Sequence, residues 1–428
     1  MKKKLLSLIL VLCMLITLAP ALAMPAMAEE TETATEGDFS AVFKAELTVK
    51  KSAEASLPGD VKVSFDLLHF TGTVYLPGGA DAEKLFLSWD DSELCLERDG
   101  VSYESGTAPI APAGQCVAYT VSKGLARGVA VIKTLQGEAG VEPMFLNIDE
   151  SLGTVDAMNG DSEHETSCYG SASFLGGDNY MSIKGRGNST WVFEKKPYNI
   201  TFYKKADFDK KKSVELIEGV ESKKWTLMAN YLDSTLLSNT VAFDLAKAMG
   251  IGLDCRFVDV WMNGEYLGNY LLTPKKDYNA PAAGFMLEND HIEDNSQGNQ
   301  FVFPNIAEMP LKHNRINIED IGDDAISPET GEQISMSEIE AWFTEAWNTV
   351  LDAESEEYQK YFDLDSWAKM YLMFEVSKTY DCYAGNIIMT REGLSDGDKL
   401  KAGPAWDYDI AFGRTLHKFI VGVDEYAQ

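Results

Sequence analysis

The fold is decided by residues 181–203, which read MSIKGRGNSTWVFEKKPYNITFY. Residues 181–184 and 198–203 are short runs in which apolar and polar side chains alternate, as they do in half-buried β-strands. Between them, Gly185 and Gly187 permit backbone conformations that let a turn approach a ligand closely. The pattern predicts a strand, a glycine loop and a second strand, with an ordinary hairpin and a tight turn as the alternative.

A helix and a hairpin follow the glycine loop. Residues 234–249 place three large apolar side chains four positions apart on one helical face, and the glycine that follows them is well placed to end the helix. These side chains are Leu237, Val241 and Leu245. Residues 257–262 and 266–273 predict two strands, because the Asn-Gly pair between them suits the positive φ angles of a hairpin turn.

The order of these elements resembles that of the small lobe of a protein kinase. The order is strand, glycine loop, strand, helix, strand, turn and strand. In a kinase, the last strand runs into a linker that meets the adenine. Here that linker would be residues 273–277, beginning with Thr273.

Acidic and amide side chains cluster toward the C-terminus. Asp381 and Asn386 stand five apart in DCYAGN, and Asp407 and Asp409 follow in WDYDIAFG. A phosphate-transfer site needs an acid that orients the attacking hydroxyl, together with amide and carboxylate oxygens that hold a divalent metal. Protein kinases use the same D-x-x-x-x-N spacing and a metal-binding Asp before a Phe-Gly. The spacing is a weak signal by itself, because an Asp and an Asn five apart occur by chance in many chains.

Two amphipathic helices precede this cluster. Apolar side chains recur three and four positions apart over residues 336–350 and again from about residue 365, so both helices should bury aromatic stripes. The second helix ends just before Asp381 and places this acid at the mouth of a helical lobe. Residues 386–390 and 399–402 predict two short strands joined by a polar turn, and this hairpin leads to the Asp407 cluster.

The N-terminus has the pattern of a secretory signal peptide, residues 1–28. Three lysines precede an apolar run, and Ala-Met-Ala precedes the expected cleavage point. A retained membrane anchor is the alternative, but the run is shorter than the roughly 20 residues that a span needs. We therefore expect a secreted or cell-surface protein without a stable membrane span after cleavage. Residues 29–38 form a polar leader with too few apolar groups to fold.

Residues 39–140 differ in pattern from the rest of the chain. Short alternating runs are separated by Pro-Gly, Gly-Gly, Asp-Asp and Asp-Gly turns, which predicts an antiparallel β-sandwich. Nothing catalytic stands out in its sequence. We expect an accessory or adhesive module, and whether it binds sugar, cell wall or protein stays open.

Composition argues against several classes of partner. The chain has 37 Lys and Arg residues against 67 Asp and Glu residues, a formal net charge of −30 at pH 7. Nucleic acid is a poor partner, because binding a phosphate backbone requires clustered basic residues. The cysteines show no C-x-x-C pair, and with only five histidines no zinc-binding spacing appears.

Six motifs occur in order within residues 143–428. They are residues 184–191 (KGRGNSTW), 195–198 (KKPY), 225–233 (WTLMANYLD), 261–268 (WMNGEYLG), 380–386 (YDCYAGN) and 404–413 (PAWDYDIAFG). Together they resemble the CotH kinase family, which consists of atypical secretory or spore-coat protein kinases. The resemblance implies a kinase-like, two-lobed fold for residues 143–428. With the β-sandwich predicted for residues 39–140, the whole chain would be an α+β protein. It also implies use of ATP with Mg²⁺ or Mn²⁺, and transfer of the γ-phosphate to Ser or Thr hydroxyls of extracellular or coat proteins.

The motif match carries the family's roles onto particular residues. Asp381 would be the acid-base residue, Asn386 and Asp407 would be metal ligands, and Asp409 would support them. Residues 185–191 would cover the phosphates. The cofactor-binding residues are then Gly185, Gly187, Asn188, Ser189, Thr190 and, at the linker, Thr273.

A cation must also meet the negative charge of the phosphates. Lys196 is the first choice because it sits on the strand that follows the glycine loop. Arg186 is the next candidate, with Lys184 and Lys195 as further rivals.

The partner carboxylate of a kinase Lys-Glu pair cannot be assigned from the sequence. Glu288 and Asp244 are both conceivable.

The chain departs from the family in three places. Residues 199–201 are Asn-Ile-Thr where a basic residue is usual, and the linker begins Thr-Pro-Lys instead of Thr-Glu. The chain also ends fifteen residues after Gly413, where family members usually continue with further helices. The helical lobe would then be C-terminally incomplete, and the isolated chain could be inactive.

Three hypotheses are open at this point. The first is a secreted, metal-dependent protein kinase. The second is a non-catalytic binding or structural protein of the cell surface, with a degenerate kinase-like scaffold. The third is a different nucleotidyl- or phosphotransferase, because kinase-like folds can transfer another part of the nucleotide.

Overall fold

The computed structural model describes residues 46–66, 71–187, 189–290, 298–302, 315–352, 354–379 and 386–413. Over this part the chain is a mixed α+β protein that is rich in strands and has five α-helices. None of the helices described is long and apolar enough to span a bilayer. The predicted signal peptide, the polar leader, Asn188 and Asp381 lie outside the described residues.

Ten strands form the N-terminal region. They are β1 (Thr48–Val49), β2 (Val61–Lys62), β3 (Ser64–Asp66), β4 (Thr71–Leu76), β5 (Phe86–Ser88), β6 (Leu94–Arg98), β7 (Val101–Tyr103), β8 (Ala108–Pro109), β9 (Cys116–Lys123) and β10 (Ala126–Gln136). One sheet has the order β2-β1-β5-β8 and the other β3-β4-β10-β9-β6-β7. Both sheets contribute inward-facing side chains to one core, as the alternating sequence pattern predicts.

One pair of strands departs from the predicted antiparallel arrangement. Strands β4 and β10 are parallel neighbours, with Val131 opposite Thr71 and Gln136 opposite Leu76. Parallel neighbours need a long crossover, which five intervening strands provide here. The sequences of these strands could not reveal this pairing, because apolar and polar residues alternate in the same way in parallel and antiparallel strands.

A closed barrel follows. Its strands and those of a small side hairpin are β11 (Glu142–Ile148), β12 (Ser167–Phe174), β13 (Gly177–Gly185), β14 (Tyr198–Tyr203), β15 (Val214–Ile217), β16 (Val220–Ser222), β17 (Lys224–Met228), β18 (Arg256–Met262) and β19 (Glu265–Pro274). The barrel order is β11-β12-β13-β14-β17-β19-β18, and β11 closes it by pairing in parallel with β18. The predicted hairpin turn is confirmed, with φ of 47° at Asn263 and 83° at Gly264. A closed barrel therefore stands where the order of elements predicted a kinase-like small lobe.

Two helices accompany the barrel, α1 (Val155–Gly160) and α2 (Ser238–Ala248). Helix α2 buries Ala242, Phe243 and Ala246. The apolar face noted in the sequence points elsewhere, since Leu237, Val241 and Leu245 are 39–49% exposed. The buried face combines small and polar residues with the ring of Phe243, and it packs against the C-terminal segment described below.

A five-stranded sheet and three helices complete the described chain. They are β20 (Phe285–Asp290), β21 (Gln300–Val302), β22 (Arg315–Ile321), α3 (Met336–Leu351), α4 (Tyr358–Tyr361), α5 (Leu364–Ser377), β23 (Ile387–Arg391) and β24 (Leu400–Ala402). The sheet order is β21-β22-β20-β23-β24. The two predicted helices are confirmed as α3 and α5, and the predicted hairpin as the antiparallel pair β23 and β24.

The two faces of this sheet serve different cores. Met286 and Ile388 pack with α2 and with residues 402–411, whereas Leu287 and Met389 pack with α3. Since alternate side chains of a strand point to opposite faces, Glu288 lies on the same face as Met286 and Ile388. This face is the one that meets the candidate site.

Candidate functional site

The glycine loop, residues 185–197, is tied down by its own side chains. The Arg186 N–H donates to the carbonyl of Pro197 at 3.2 Å and closes the loop at its base. Gly187 has a φ of 85°, and a Cβ there would strike the hydroxyl of Thr190. At Gly185, a Cβ would lie 2.5 Å from the Trp191 ring. The glycines are therefore needed for packing within the loop, a reason that the sequence pattern did not provide.

Trp191 is the centre of this packing. Its ring is buried and meets the ring of His164 edge-on, with centroids 4.6 Å apart. It meets Tyr198 edge-on as well, at 6.2 Å. Burial lowers the pKa of His164. The side chain of Ser189 lies outside the described part, so its predicted phosphate contact stays a prediction.

The first-choice cation, Lys196, is occupied within the loop. Its ammonium donates to the carbonyl of Trp191 and lies 4.9 Å from the centre of that ring. These contacts hold the loop together and do not point to a phosphate. The structure therefore gives no support to Lys196 as the phosphate cation. The sequence could not show this, because it does not reveal the direction in which the side chain turns.

Lys195 is the more deeply placed neighbour. Its ammonium donates to the carbonyl of Ala229 at 2.8 Å and to that of Asn269, and lies 4.5 Å from the ring centre of Tyr270. Burial lowers the pKa of Lys195 to about 8, and the negative charge of Asp259 acts in the opposite direction. Lys195 thus fastens the end of the glycine loop to strands β17 and β19.

Arg186 connects the glycine loop with the C-terminal motif. Its guanidinium carbon lies 5.7 Å from the ring centre of Trp406, the residue before Asp407. A guanidinium over an indole face is a favourable cation–π contact. Two of the six motifs, separated by more than 200 residues in the chain, therefore meet in space.

The Asp407 segment is held from beneath by helix α2. The Trp406 ring stacks on Phe243 with centroids 6.0 Å apart. The Tyr408 N–H donates to the side-chain oxygen of Asn239 at 2.7 Å, and both residues are buried. Asp407 itself is half-buried and has a φ of 61°, a left-handed conformation that is uncommon outside glycine.

The WTLMANYLD motif, residues 225–233, explains the position of α2. The Asn239 amide donates to the side-chain oxygen of Asn230 at 3.0 Å. The carboxylate of Asp233 accepts from the Ser238 N–H at 2.7 Å and so caps the first turn of the helix. Burial would raise the pKa of Asp233, but hydrogen bonds from Thr235 and Ser238 outweigh it and lower the pKa.

Asn386, the predicted amide ligand, immediately precedes β23. It is half-buried and has a φ of 62°. Two residues later, the carbonyl of Ile388 accepts from the Gly403 N–H at 2.8 Å. Ile388 and Trp406 belong to the same core, so Asn386 and Asp407 flank one packed unit.

A buried ion pair lies on the same face of the sheet. The ammonium of Lys276 contacts the carboxylate of Glu288 and lies 3.3 Å from that of Glu319. The side chains of Lys276 and Glu288 are only 17% and 3% exposed. Of the two carboxylates considered for a Lys-Glu pair, Glu288 is thus the one paired with a lysine, whereas Asp244 lies exposed on α2.

Lys276 was not among the predicted site residues, although it falls inside the predicted linker 273–277. Thr273, the linker residue predicted to bind the cofactor, is fully buried, and its hydroxyl donates to the carbonyl of Asp254 at 2.9 Å. That side chain is therefore not available to a nucleotide. The charged residues of the linker come after Thr273. The carboxylate of Asp277 lies 2.6 Å from the ammonium of Lys224 and 3.2 Å from that of Lys275.

The chemistry of the donor set fits a hard divalent cation. Amide and carboxylate oxygens, such as those of Asn386, Asp407 and Asp409, are the ligands that Mg²⁺ prefers. Within the ranges that the structure describes, no three His, Cys, Asp or Glu side chains gather as a ready metal site. The ligand set proposed from the sequence therefore stays a prediction, and so does the acid-base role of Asp381, which lies outside those ranges.

Two comparisons with known proteins bear on the identity of the chain. A search of curated proteins finds no match to the chain. A family model described as CotH kinase protein matches residues 183–427, more than half of the sequence. The matched region begins at the strand before the glycine loop and includes the Asp407 segment that Arg186 reaches. The chain therefore belongs to the CotH kinase protein family.

Proposed function

We propose that the chain is an atypical protein kinase that uses ATP with Mg²⁺ or Mn²⁺. Its substrates would be Ser or Thr hydroxyls of a secreted or cell-surface protein. The observation that carries the proposal is the contact of Arg186 with Trp406. It brings the glycine loop of the matched family region against the segment that holds Asp407.

In this proposal the chain mainly positions charges. Phosphoryl transfer depends more on orientation and charge neutralisation than on covalent chemistry by the protein. Asn386 and Asp407 would hold the metal ion, with Asp409 in support, and the ion would neutralise phosphate oxygens. Asp381 would accept a hydrogen bond from the attacking hydroxyl. Arg186 would fix the height of the glycine loop above Asp407.

The lysine that meets a phosphate would be Lys276 instead of Lys196. Lys276 faces the sheet surface that carries Glu288, and Glu288 packs beside the core that contains Trp406. A lysine oriented by a buried glutamate is how protein kinases hold the α- and β-phosphates. The pair lies on different elements from those of an ordinary kinase, and the two-lobed arrangement itself stays a prediction.

The test is transfer of labelled γ-phosphate to a mixture of secreted proteins and to the chain itself. Asp381→Ala and Asp407→Ala should each lower transfer by a factor of about 10² or more, since each removes a group that acts in the transition state. Asp396→Ala is the control, because Asp396 is exposed in the turn before β24. Full activity of both site variants would defeat the proposal.

Two further measurements separate the other hypotheses. Calorimetry that detects no binding of ATP in the presence of Mg²⁺ or Mn²⁺ would favour a non-catalytic scaffold. Mass spectrometry of the modified protein distinguishes an added phosphate from an added adenylate. An adenylate would identify a nucleotidyltransferase.

A further inference from the structure

A short basic loop stands out on this acidic protein. The segment of residues 204–212, which we call the lysine loop, reads KKADFDKKK and connects β14 to the β15–β16 hairpin. All five lysine side chains are exposed. They are Lys204, Lys205, Lys210, Lys211 and Lys212. Two aspartates lie among them, so the loop carries a net charge of +3 in a chain whose net charge is −30.

The lysines of this loop are not neutralised within the described part of the chain. None of them lies within 4 Å of a carboxylate there, and the ammonium of Lys212 donates to the neutral side-chain oxygen of Asn179, at 2.6 Å. Lysines elsewhere do form such pairs, for example Lys123 with Asp91 and Lys369 with Asp365. In a chain with nearly twice as many acidic as basic residues, five neighbouring lysines that form no ion pair with the described residues leave a surface that is available to an anion.

The loop is also a built structure. Phe208 has a φ of 53° and turns its ring into a group of tyrosines. The ring centroids of Tyr169 and Tyr203 lie 4.8 and 5.5 Å from that of Phe208. The Lys204 N–H donates to the carbonyl of Lys210 at 2.9 Å and closes the loop. This anchoring fixes the backbone that carries the lysines, which lowers the entropy cost of binding a partner.

The lysine loop is separate from the candidate kinase site. Strands β13 and β14 pair from Tyr180 opposite Tyr203 to Gly185 opposite Tyr198. The glycine loop connects one end of this pair, and the lysine loop leaves from the other. At about 3.4 Å per residue, the two ends are roughly 17 Å apart. The lysines therefore form a surface distinct from the phosphate-covering residues.

We propose that the lysine loop is a docking surface for an acidic polypeptide segment of a partner protein. Arginine forks suit phosphates and nucleic acids, whereas the loop contains no arginine and offers flexible point charges. Asp207 and Asp209 among the lysines would repel a dense polyphosphate more than a chain of spaced carboxylates. The remaining acidic surface repels a long polyanion, so the fitting partner is a short run of Asp or Glu. Charge attraction over about 8 Å at physiological salt makes this binding local and sensitive to salt.

The test is fluorescence anisotropy of a labelled oligoglutamate peptide mixed with the full chain at low salt, without nucleotide. The triple variant Lys205→Ala/Lys210→Ala/Lys211→Ala should weaken binding roughly tenfold, because it removes three exposed charge contacts that are each of modest strength. The control is Lys51→Ala/Lys133→Ala/Lys399→Ala, which removes the same charge from exposed positions elsewhere. Thermal unfolding monitors that both variants remain folded.

The outcomes are distinct. Loss of affinity in the loop variant alone, together with weakening by added salt, supports the proposal. Equal affinities of the two variants, or no binding by the wild-type chain, overturn it. Tighter binding of inorganic polyphosphate than of oligoglutamate overturns the assignment of the partner. Because no step depends on ATP, the result is independent of the proposed kinase activity.

Discussion

The guanidinium of Arg186 lies over the indole ring of Trp406, 5.7 Å from its centre. Arg186 belongs to the glycine loop and Trp406 directly precedes Asp407. The contact therefore couples the height of the loop to the position of a proposed metal ligand. Trp406 in turn rests on Phe243 of helix α2, so the coupling extends into the core.

Replacing Arg186 should affect nucleotide binding more than stability. Arg186→Ala removes a cation–π contact worth about 0.5–1 kcal/mol at a partly exposed site, so unfolding by urea should change little. Without the contact the loop loses its link to the segment that holds Asp407, and the KM for ATP should rise several-fold with a smaller change in kcat. Lys223→Ala, which removes an exposed charge outside the predicted site, is the control. Equal KM values for the two variants would contradict the coupling.

Asn239 should act as a positioning residue for the Asp407 segment. Asn239→Ala leaves the buried Tyr408 N–H without its acceptor, which should cost about 1–3 kcal/mol in the free energy of unfolding. The Mg²⁺ concentration required for half-maximal activity should also rise. Asn239→Asp keeps an acceptor oxygen for the Tyr408 N–H, so its Mg²⁺ requirement should lie between those of the wild type and of Asn239→Ala. Thr240→Ala is the matched control, since its buried hydroxyl has no hydrogen-bond partner in the described structure. An unchanged Mg²⁺ dependence in Asn239→Ala would show that the residue is only structural.

Local patterns predicted much of this fold. Strand β14 is found at the predicted residues, and α3 and the hairpin turn at Asn263 follow from periodicity and turn chemistry that depend on neighbours in the sequence. Closure of the barrel does not follow from such local patterns, because β11 and β18 pair across more than 100 residues. The parallel register of this pair leaves no trace in either strand.

The candidate site, like the fold, was predictable only in part from the sequence. The motifs located the glycine loop and the Asp407 segment, and the structure brings them together. Lys196 was chosen from its place in the sequence, but its side chain turns to Trp191, and only three-dimensional packing decides that direction. Lys276 and Glu288 lie on different elements and meet in space, a contact that no spacing rule predicts.

Breaking the Lys276–Glu288 pair should be strongly destabilising. Lys276→Met leaves a carboxylate that is 3% exposed without its ammonium, and breaking a buried pair in this way typically costs about 3–5 kcal/mol. Adding Glu288→Gln should recover part of the loss in urea unfolding. Lys360→Met, which breaks an exposed pair with Glu357, should have no measurable effect. Equal stability of the single and double variants would show that Glu288 does not depend on Lys276.

Gly187 should tolerate no side chain. Gly187→Ala combines a left-handed φ of 85° with a clash against Thr190, and should lose about 1–3 kcal/mol of stability together with nucleotide binding. Gly100→Ala is the control, because Gly100 has a similar φ of 77° with nothing within 4 Å of the added Cβ. The difference between the two variants measures the clash by itself. If both lose the same stability, the loop yields to the new methyl group.

Lys195 should make stability depend on pH in the alkaline range. Burial lowers its pKa to about 8 in the folded chain, against an ordinary value of 10.5. Below pH 8 both states carry the proton, so the contribution does not vary there. Between pH 8 and 10.5 the unfolded chain binds more protons than the folded chain, and the free energy of unfolding contributed by Lys195 rises with pH.

The measurement is urea unfolding of the wild type and of Lys195→Met on both sides of pH 8. Lys195→Met loses the hydrogen bonds to Ala229 and Asn269 at every pH. It also loses the rise in the free energy of unfolding that Lys195 contributes above pH 8. The stability advantage of the wild type should therefore grow as the pH rises from 8 toward 10.5. Lys51→Met, which removes an exposed ammonium, should differ from the wild type by a constant amount. A constant difference for Lys195→Met as well would mean that water reaches its ammonium in the folded chain and that the glycine loop is not fastened by a buried charge.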